Sequence, residues 1–352
     1  MTHKETMTSL QRFAAALSGK PYDRIPVFLL VSDHAARVIG VTVGEYQQSA
    51  ELMAKGQLAA WRLYRSDMIN TGPGLTGIVE AIGAKLAFPD NTAYVTENPV
   101  QTTNDFDRLK LPDPRRDGRL PLFLEATKIV LDEAGASVPV SLTTAGPFTT
   151  ASYMRGADQF LRDLRRAPVF AHRVLRFATD STISFIREVF ALGARISLAE
   201  PMASGTLIGA KQFREFAQPY LTEVVNAVKG LTGGVGPSLH ICGDSSKIWP
   251  EMADTGASLL SIDDQVDLAA ARAQVGDRVG LIGNVRPTAA MANGRPSDVR
   301  ANAQECFDKG VGNPKGYILG LGCALPINTP AENVHALIDA AWELSAQRHV
   351  PN

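Results

Sequence analysis

Apolar positions along the chain follow two alternating patterns. Short, nearly continuous apolar runs, typical of strands covered on both faces, are separated by longer segments with apolar residues at helical spacing. The eight runs occupy residues 25–32, 67–71, 139–145, 194–200, 237–242, 258–263, 279–283 and 316–322. The main helical segments lie near 50–65, 121–135, 168–191, 210–230, 266–275, 297–309 and 330–346. This alternation predicts an α/β fold: a single (β/α)8 TIM barrel spanning residues 1–352.

Two segments fall outside the alternation. Residues 1–24 form a predicted N-terminal helical extension, in which Ser9 is placed to cap a helix over residues 9–17. Residues 83–102 contain two short β-rich stretches around a Pro-Asp-Asn sequence at 89–91, which predicts a β-hairpin. Its position after the second strand makes it an insertion on the catalytic side of the barrel.

The main alternative is an open, doubly wound sheet with a nucleotide-binding turn. The sequence GPGLTG at residues 72–77 formally matches the glycine-rich dinucleotide fingerprint. It follows the second run instead of the first, and the helical pattern after it stops at Gly83. The barrel is therefore the favoured architecture.

Composition limits the classes of function. The 352 residues are 45% hydrophobic and 20% charged, with a net charge of −1, which disfavours binding to nucleic acid or to a membrane surface. Three cysteines are too few for a disulfide framework, so a reducing compartment is expected. The first residues lack the apolar core and cleavage site of a signal peptide, and we expect a cytoplasmic protein.

The most informative side chains are one histidine and two cysteines. His240 and Cys242 end the fifth run in SLHICG, and Cys323 follows the eighth in GLGCALP. Residues two apart on a strand face the same way, and a nitrogen–sulfur ligand set suits zinc. Asp264 is the predicted exchangeable fourth ligand, with Asp263 as its competitor. The alternative is that the three residues simply pack inside the barrel, as is expected of Cys306 on a late helix.

Further polar residues stand close to the predicted strand ends. Glu200 closes the fourth run and Asp263 the sixth, and both are candidates for catalytic acid–base chemistry. Glu200 is also a candidate hydrogen-bond partner for His240, with a salt bridge at the barrel rim as the alternative.

Three basic side chains are candidates for substrate binding. Arg286 and Arg155 are candidates for binding a substrate anion such as a sulfonate or carboxylate, and a salt bridge is the alternative for each. His34 follows the first run, where it either lines the pocket mouth or begins the next helix.

Motifs along nearly the whole chain resemble one family. They are RFAAALSGKPYDRIPV at 12–27, AGPFT at 145–149, LHICGD at 239–244, SIDD at 261–264, GNVRP at 283–287 and GCALPINTPAEN at 322–333. With these motifs the chain resembles the uroporphyrinogen decarboxylase superfamily, and within it the cobamide-dependent methyltransferases such as the methylcobamide:coenzyme M methyltransferases.

The resemblance implies a fold, a metal and a reaction. The fold is the (β/α)8 barrel, and the zinc ligands match His240, Cys242 and Cys323, with an acidic residue near Asp264 able to complete the set. The implied activity is zinc-dependent transfer of a methyl group between a corrinoid, a protein-bound methylcobamide, and a small substrate, namely a thiol activated as zinc thiolate. Because one barrel uses the whole chain, the corrinoid is expected on a separate protein.

Three other functions are open at this point. The first is demethylation of a methyl ether or methyl sulfide donor, with the methyl group delivered to a corrinoid protein. The second is a lyase of the uroporphyrinogen decarboxylase type. Those enzymes carry an arginine-rich motif after the first strand and a Phe-Ser-Asp motif after the second, whereas this chain has PVFLLVS at 26–32 and NTGPG at 70–74, which disfavours the lyase. The third is a non-catalytic barrel with a structural zinc.

Overall fold

The computed structural model describes residues 5–89 and 92–348. Eight parallel strands curl into the predicted barrel, in the order β1-β10-β9-β8-β7-β6-β5-β2, and β3 and β4 form a separate antiparallel pair. The strands are β1 Val27–Phe28, β2 Ile69–Gly74, β3 Lys85–Ala87, β4 Tyr94–Glu97, β5 Val140–Ala145, β6 Arg195–Ala199, β7 Ser238–His240, β8 Leu259–Ser261, β9 Gly280–Val285 and β10 Tyr317–Leu321. Barrel strands pair in chain order around the ring, so the doubly wound alternative is wrong.

Helices cover the outside of the barrel. They are α1 Ser9–Leu17, α2 His34–Val38, α3 Val43–Tyr46, α4 Ala50–Tyr64, α5 Gly77–Ile82, α6 Thr103–Asp107, α7 Leu120–Ala134, α8 Pro147–Arg155, α9 Ala157–Arg166, α10 Pro168–Leu192, α11 Ala210–Gln212, α12 Gln218–Thr232, α13 Trp249–Asp254, α14 Leu268–Val275, α15 Pro296–Gly310 and α16 Ala331–Arg348. None of the helices among the described residues combines the length and apolarity that a membrane span requires.

Side chains of the barrel strands that face the helices form much of the core. Strand residues with no exposed surface recur around the ring: Leu142, Leu198, Leu239, Leu260, Leu281 and Leu319. Since strand side chains alternate between the two faces, burial of Leu239 and Ile241 under the helices leaves His240 and Cys242 to face the other way.

The first helix begins differently from the prediction. Thr8, and not Ser9, is the N-cap, because the Thr8 hydroxyl accepts a hydrogen bond from the Gln11 N–H at 3.2 Å. Ser9 lies in the first turn, and its hydroxyl donates to Asp67 at 2.9 Å. Because Thr8 caps the helix, the Ser9 hydroxyl is available to bind Asp67, and this hydrogen bond holds α1 against the barrel.

Asp67 holds the seam where β1 and β2 meet. Its backbone N–H donates to the Val27 carbonyl at 2.9 Å, and its carboxylate accepts from the Val27 N–H at 2.7 Å. The same carboxylate forms ion pairs with Arg12, at 2.5 Å, and with Arg24. All three charged side chains are at most 1% exposed. The seam is therefore closed by one buried charge network instead of a strand ladder.

The predicted hairpin is present. Strands β3 and β4 pair only with each other, and Lys85 pairs with Glu97 across them. Residues 90 and 91 of the predicted Pro-Asp-Asn turn lie outside the described residues. The hairpin follows α5 and lies against the carboxyl ends of the barrel strands, where it supplies part of a cavity wall.

Candidate metal centre

His240, Cys242 and Cys323 come together as the sequence predicts. His240 is the last residue of β7, and Cys323 follows the end of β10. The His240 Nε2 lies 3.1 Å from the Cys242 Sγ, and the two sulfurs are 4.0 Å apart. All three donor atoms lie within 4.8 Å of one another. Three potential ligands therefore converge on one point at the carboxyl ends of two barrel strands.

The hydrogen bonds of His240 prepare it for a metal. Its Nδ1 lies 3.2 Å from the Ser261 carbonyl oxygen and 3.1 Å from the Ser261 hydroxyl. A carbonyl oxygen can only accept, so Nδ1 carries the proton and donates it. The lone pair of Nε2 is then free on the side that faces the two sulfurs, as in histidines that bind metals.

The spacing of the donors fits a tetrahedral ion. Two thiolates bound to zinc at about 2.3 Å in tetrahedral geometry stand about 3.8 Å apart, close to the observed 4.0 Å. Among the described residues, no other group of three His, Cys, Asp or Glu side chains comes together in this way. The donor set is therefore suited to zinc, with one position left for a further ligand.

The pKa values of the two thiols are shifted in opposite directions. A hydrogen bond from the Cys242 thiol, together with the neighbouring His240, lowers the pKa of Cys323 to about 4. The pKa of Cys242 is raised, chiefly by its hydrogen bond to Cys323 and by burial. Cys323 is therefore the sulfur that ionises more readily to the thiolate that a soft metal prefers.

The structure does not bring Asp264 or Asp263 into this cluster. Asp264 lines a separate cavity of about 200 Å3. Asp263 is buried, and its two oxygens accept from the backbone N–H groups of Gly243, at 2.8 Å, and Gln265, at 2.9 Å. β8 ends at Ser261, so both aspartates lie in the turn that follows, and neither carboxylate is among the donor atoms that converge on the cluster. Asp263 instead orders the backbone next to Cys242.

The cluster opens on a cavity of about 670 Å3. Its walls come from the ends of β2, β5, β6 and β7, from Tyr153 on α8 and from residues Thr92 to Val95 of the hairpin. This is the end of the barrel where active sites are built, and the volume is that of a small-molecule site. Glycine-rich residues 72–74 form one wall instead of a nucleotide-binding turn.

Asp33 lines this cavity, whereas its neighbour His34 does not. Asp33 accepts from the Gln47 amide and from the Thr92 hydroxyl, both at 2.8 Å. The His34 ring is buried, with Nδ1 3.0 Å from the Ile327 oxygen and Nε2 2.8 Å from the Tyr64 hydroxyl. Burial lowers the pKa of His34. His34 therefore follows the alternative prediction, since it begins α2 and does not line the cavity.

Arg119 also lines the cavity, and no local sequence pattern predicts it. Its Nε donates to both oxygens of Glu80, at 3.0 and 2.9 Å, and its Nη1 to the Gln47 carbonyl at 2.7 Å. The guanidinium also lies over the rings of Phe88 and Phe123. Its partners Glu80 and Gln47 lie 39 and 72 residues earlier in the chain, so only the tertiary fold identifies it.

The two arginines predicted to bind a substrate anion are engaged outside the cavity. The Arg155 Nε pairs with Asp163 at 2.8 Å, and its Nη1 donates to the Gln101 carbonyl at 2.6 Å. Arg286 pairs with Glu305 at 3.1 Å and lines the separate small cavity. Both residues thus follow the salt-bridge alternative.

Glu200 is a buried helix cap. Its carboxylate accepts from the backbone N–H groups of Phe148, at 2.9 Å, and Thr149, at 2.7 Å, in the first turn of α8, where a helix favours a negative group. The side chain has no exposed surface, and burial raises its pKa to about 7. Only its backbone N–H contacts His240, at the carbonyl oxygen, so Glu200 does not serve as the predicted partner of the imidazole.

A family model described as uroporphyrinogen decarboxylase (URO-D) matches residues 8–344. The chain belongs to the URO-D family. The resemblance drawn from the sequence motifs is therefore confirmed, as is the barrel that it implied.

Relatives within the URO-D family include both methyltransferases and decarboxylases. The methylcobamide:CoM methyltransferase MtaA of Methanosarcina barkeri is 29% identical over 342 residues, covering 95% of this chain and 98% of the relative. A uroporphyrinogen decarboxylase of Psychromonas ingrahamii is 27% identical, covering 98% and 100%. A solved methyltransferase from Methanosarcina mazei superposes with a TM-score of 0.87 at 30% identity, covering 96% and 99%.

The buried carboxyl group of Glu200 should make the stability of this URO-D family barrel depend on pH. Because burial raises its pKa from 4.5 to about 7, the folded state holds one more proton than the unfolded state between these values, and stability falls as pH rises. As the pH rises from ~4.5 to ~7, the free energy of unfolding of Glu200→Gln should increase by up to about 3 kcal/mol relative to that of wild type. Urea unfolding across this range measures the difference.

A Glu97→Gln variant, which removes an exposed carboxylate from the hairpin, controls for the loss of charge alone. Parallel pH profiles for wild type and Glu200→Gln would contradict the raised pKa.

Proposed function

We propose that this chain is a methyltransferase that moves a methyl group between a corrinoid and a small thiol, with zinc held by His240, Cys242 and Cys323. The observation that carries the proposal is the convergence of one imidazole nitrogen and two sulfurs at the floor of the 670 Å3 cavity. The methyltransferase relatives, one of them superposing with a TM-score of 0.87, support it.

The charge of the cavity speaks against a decarboxylase. A tetrapyrrole with many carboxylates requires several basic groups around it. Among the described residues that line the cavity, Arg119 is the one arginine or lysine, and Glu80 already pairs with it. On β2 the cavity presents Asn70, whose amide donates to the Thr143 hydroxyl at 2.8 Å.

The residues of the chain hold and orient the reacting groups. His240 and the two cysteines would bind the zinc, and the Ser261 carbonyl fixes the imidazole orientation. Asp263 fixes the turn that follows Cys242 through the Gly243 N–H. When bound, zinc would lower the pKa of a substrate thiol and so supply a thiolate nucleophile near neutral pH.

The corrinoid is proposed to arrive on a partner protein. The described elements all belong to the barrel, its covering helices and the hairpin, so they leave no further unit to bind a corrinoid. The partner would dock over the cavity mouth and present the methyl group there.

The reverse direction is the second candidate. A cavity of about 670 Å3 has room for a substrate larger than a two-carbon thiol, such as a methyl ether or methyl sulfide. Such a donor would deliver its methyl group to the corrinoid protein.

Direct assay tests both directions. The zinc-loaded protein is mixed with methylcobalamin and small thiols, and loss of the methyl–cobalt absorption is followed. We expect demethylation faster than with an equal concentration of free zinc by roughly a hundredfold or more. The same mixture with cobalt(I) cobalamin and methyl ethers or sulfides tests the reverse reaction. Rates equal to those of free zinc in both directions would refute the proposal.

A further inference from the structure

The formal charges that line the cavity are few. Apart from the proposed metal ligands, the described lining residues include two charged side chains, Asp33 and Arg119. Neutral polar groups such as Asn70, Thr143 and Tyr153 make up much of the remaining polar wall. Selection of a substrate by charge therefore depends on these two residues.

The positive charge of Arg119 is already neutralised by the protein. Both carboxylate oxygens of Glu80 accept from the Arg119 Nε, and the side chains of Arg119 and Glu80 are 11% and 18% exposed. The Gln47 carbonyl and two aromatic rings occupy much of the remaining guanidinium surface. A substrate anion would have to compete with Glu80 for this charge.

The negative charge of Asp33 is not neutralised in this way. Its two hydrogen-bond donors, the Gln47 amide and the Thr92 hydroxyl, are both uncharged. Among the described residues, no lysine or arginine nitrogen lies within 4.0 Å of its carboxylate. Burial raises the pKa of Asp33, and the two hydrogen bonds and the charge of Arg119, which makes no direct contact with the carboxylate, offset this only in part. The carboxylate therefore still gains from a cationic or hydrogen-bond-donating neighbour.

We propose that the cavity selects a positively charged or hydroxyl-bearing thiol through Asp33 and rejects an anionic one. This inference rests on the proposed methyl transfer to a thiol. The engagement of Arg155 and Arg286 outside the cavity supports it, because neither remains to bind a sulfonate or carboxylate. Coenzyme M, the acceptor in the names of the relatives, is an anionic thiol, so the substrate of this chain differs from it in charge.

Three thiols with the same two-carbon backbone test the selection. 2-Aminoethanethiol, 2-mercaptoethanol and 2-mercaptoethanesulfonate are titrated into the zinc-loaded protein by calorimetry, and the kcat/KM for methyl transfer from methylcobalamin is measured with each. We expect the amine to bind at least ~10-fold more tightly than the sulfonate. In Asp33→Asn this ratio should fall to within ~2-fold, since the selecting charge is gone. The uncharged hydroxyl compound should bind more tightly than the sulfonate and less tightly than the amine.

The matched control is Asp254→Asn, which removes one carboxylate at the opposite end of the barrel, where Asp254 pairs with Arg278; it should keep the wild-type ratio. Tighter binding of the sulfonate, no binding of any thiol, or an unchanged ratio in Asp33→Asn would each overturn the selection. The wild-type ranking decides the question even where Asp33→Asn does not fold. Ranked binding without methyl transfer would instead refute the proposed function.

Discussion

Replacing Cys323 or Cys242 with serine should reduce the zinc content of the purified protein to less than roughly a tenth of the wild-type content. A serine hydroxyl is a hard, protonated group at neutral pH, so it does not replace a thiolate as a zinc ligand. Methyl transfer from methylcobalamin should fall by roughly a hundredfold or more in the same variants. Metal analysis and the absorption assay measure the two effects separately.

The third cysteine provides a matched control for this prediction. Cys306 is 3% exposed, and its thiol lies 3.6 Å from the Asn284 side-chain oxygen, away from the cluster. Cys306→Ser makes the same chemical change and should keep the full zinc content. Full zinc content in both Cys242→Ser and Cys323→Ser would show that the ligand assignment is wrong.

Removal of the Asp67 carboxylate should cause the largest loss of stability. In Asp67→Ala the buried guanidinium groups of Arg12 and Arg24 lose a partner that they share in the folded state. Breaking a buried ion pair from one side typically costs about 3–5 kcal/mol, because a charge is left buried without compensation. The seam between β1 and β2 also loses the hydrogen bond from the Val27 N–H. Urea unfolding measures the expected decrease in the free energy of unfolding.

An exposed ion pair provides the control for the Asp67→Ala prediction. Asp107 pairs with Arg173 at 2.6 Å, but both side chains are about half exposed. Asp107→Ala should therefore change the free energy of unfolding by less than about 1 kcal/mol. A similarly small change in Asp67→Ala would mean that the seam does not depend on this carboxylate.

The sequence was sufficient to predict the barrel and the histidine–cysteine cluster, for the same physical reason. Strands covered on both faces must be apolar at nearly every position, so the runs and their order could be recognised directly. Within a strand the side chains alternate with a strict period of two. His240 and Cys242 were therefore expected to share a face, and Cys323 was expected at the carboxyl end of another barrel strand.

Asp263 and Asp264, in the turn that follows β8, could not be placed in this way. Once the chain leaves the extended conformation, the turn decides where each side chain points. Gly322 packs so closely on the backbone of Asp264 that a Cβ at residue 322 would lie 2.4 Å from the Asp264 nitrogen. This packing helps to fix the turn that carries Asp264, and no periodic pattern in the sequence predicts it.

Contacts of charged residues with partners far away in the chain also could not be predicted from the sequence pattern. Glu200 was predicted to act in catalysis, but the N–H groups of α8, about fifty residues earlier, bind its carboxylate. Arg119 joins the cavity through Glu80 and Gln47. Such partners are selected by the packing of helices on the barrel, a property of the whole fold.

The hairpin is a segment whose sequence can vary without disturbing the barrel strands. Its strands pair only with each other, yet Thr92 contacts Asp33 and its neighbours line the cavity. Substitutions and length changes in this segment leave every hydrogen-bonded ladder of the barrel intact, and they leave the metal ligands in place. The segment between Gly83 and Val100 is therefore the part of the chain in which natural divergence or laboratory evolution can alter substrate choice while the chemistry is inherited unchanged.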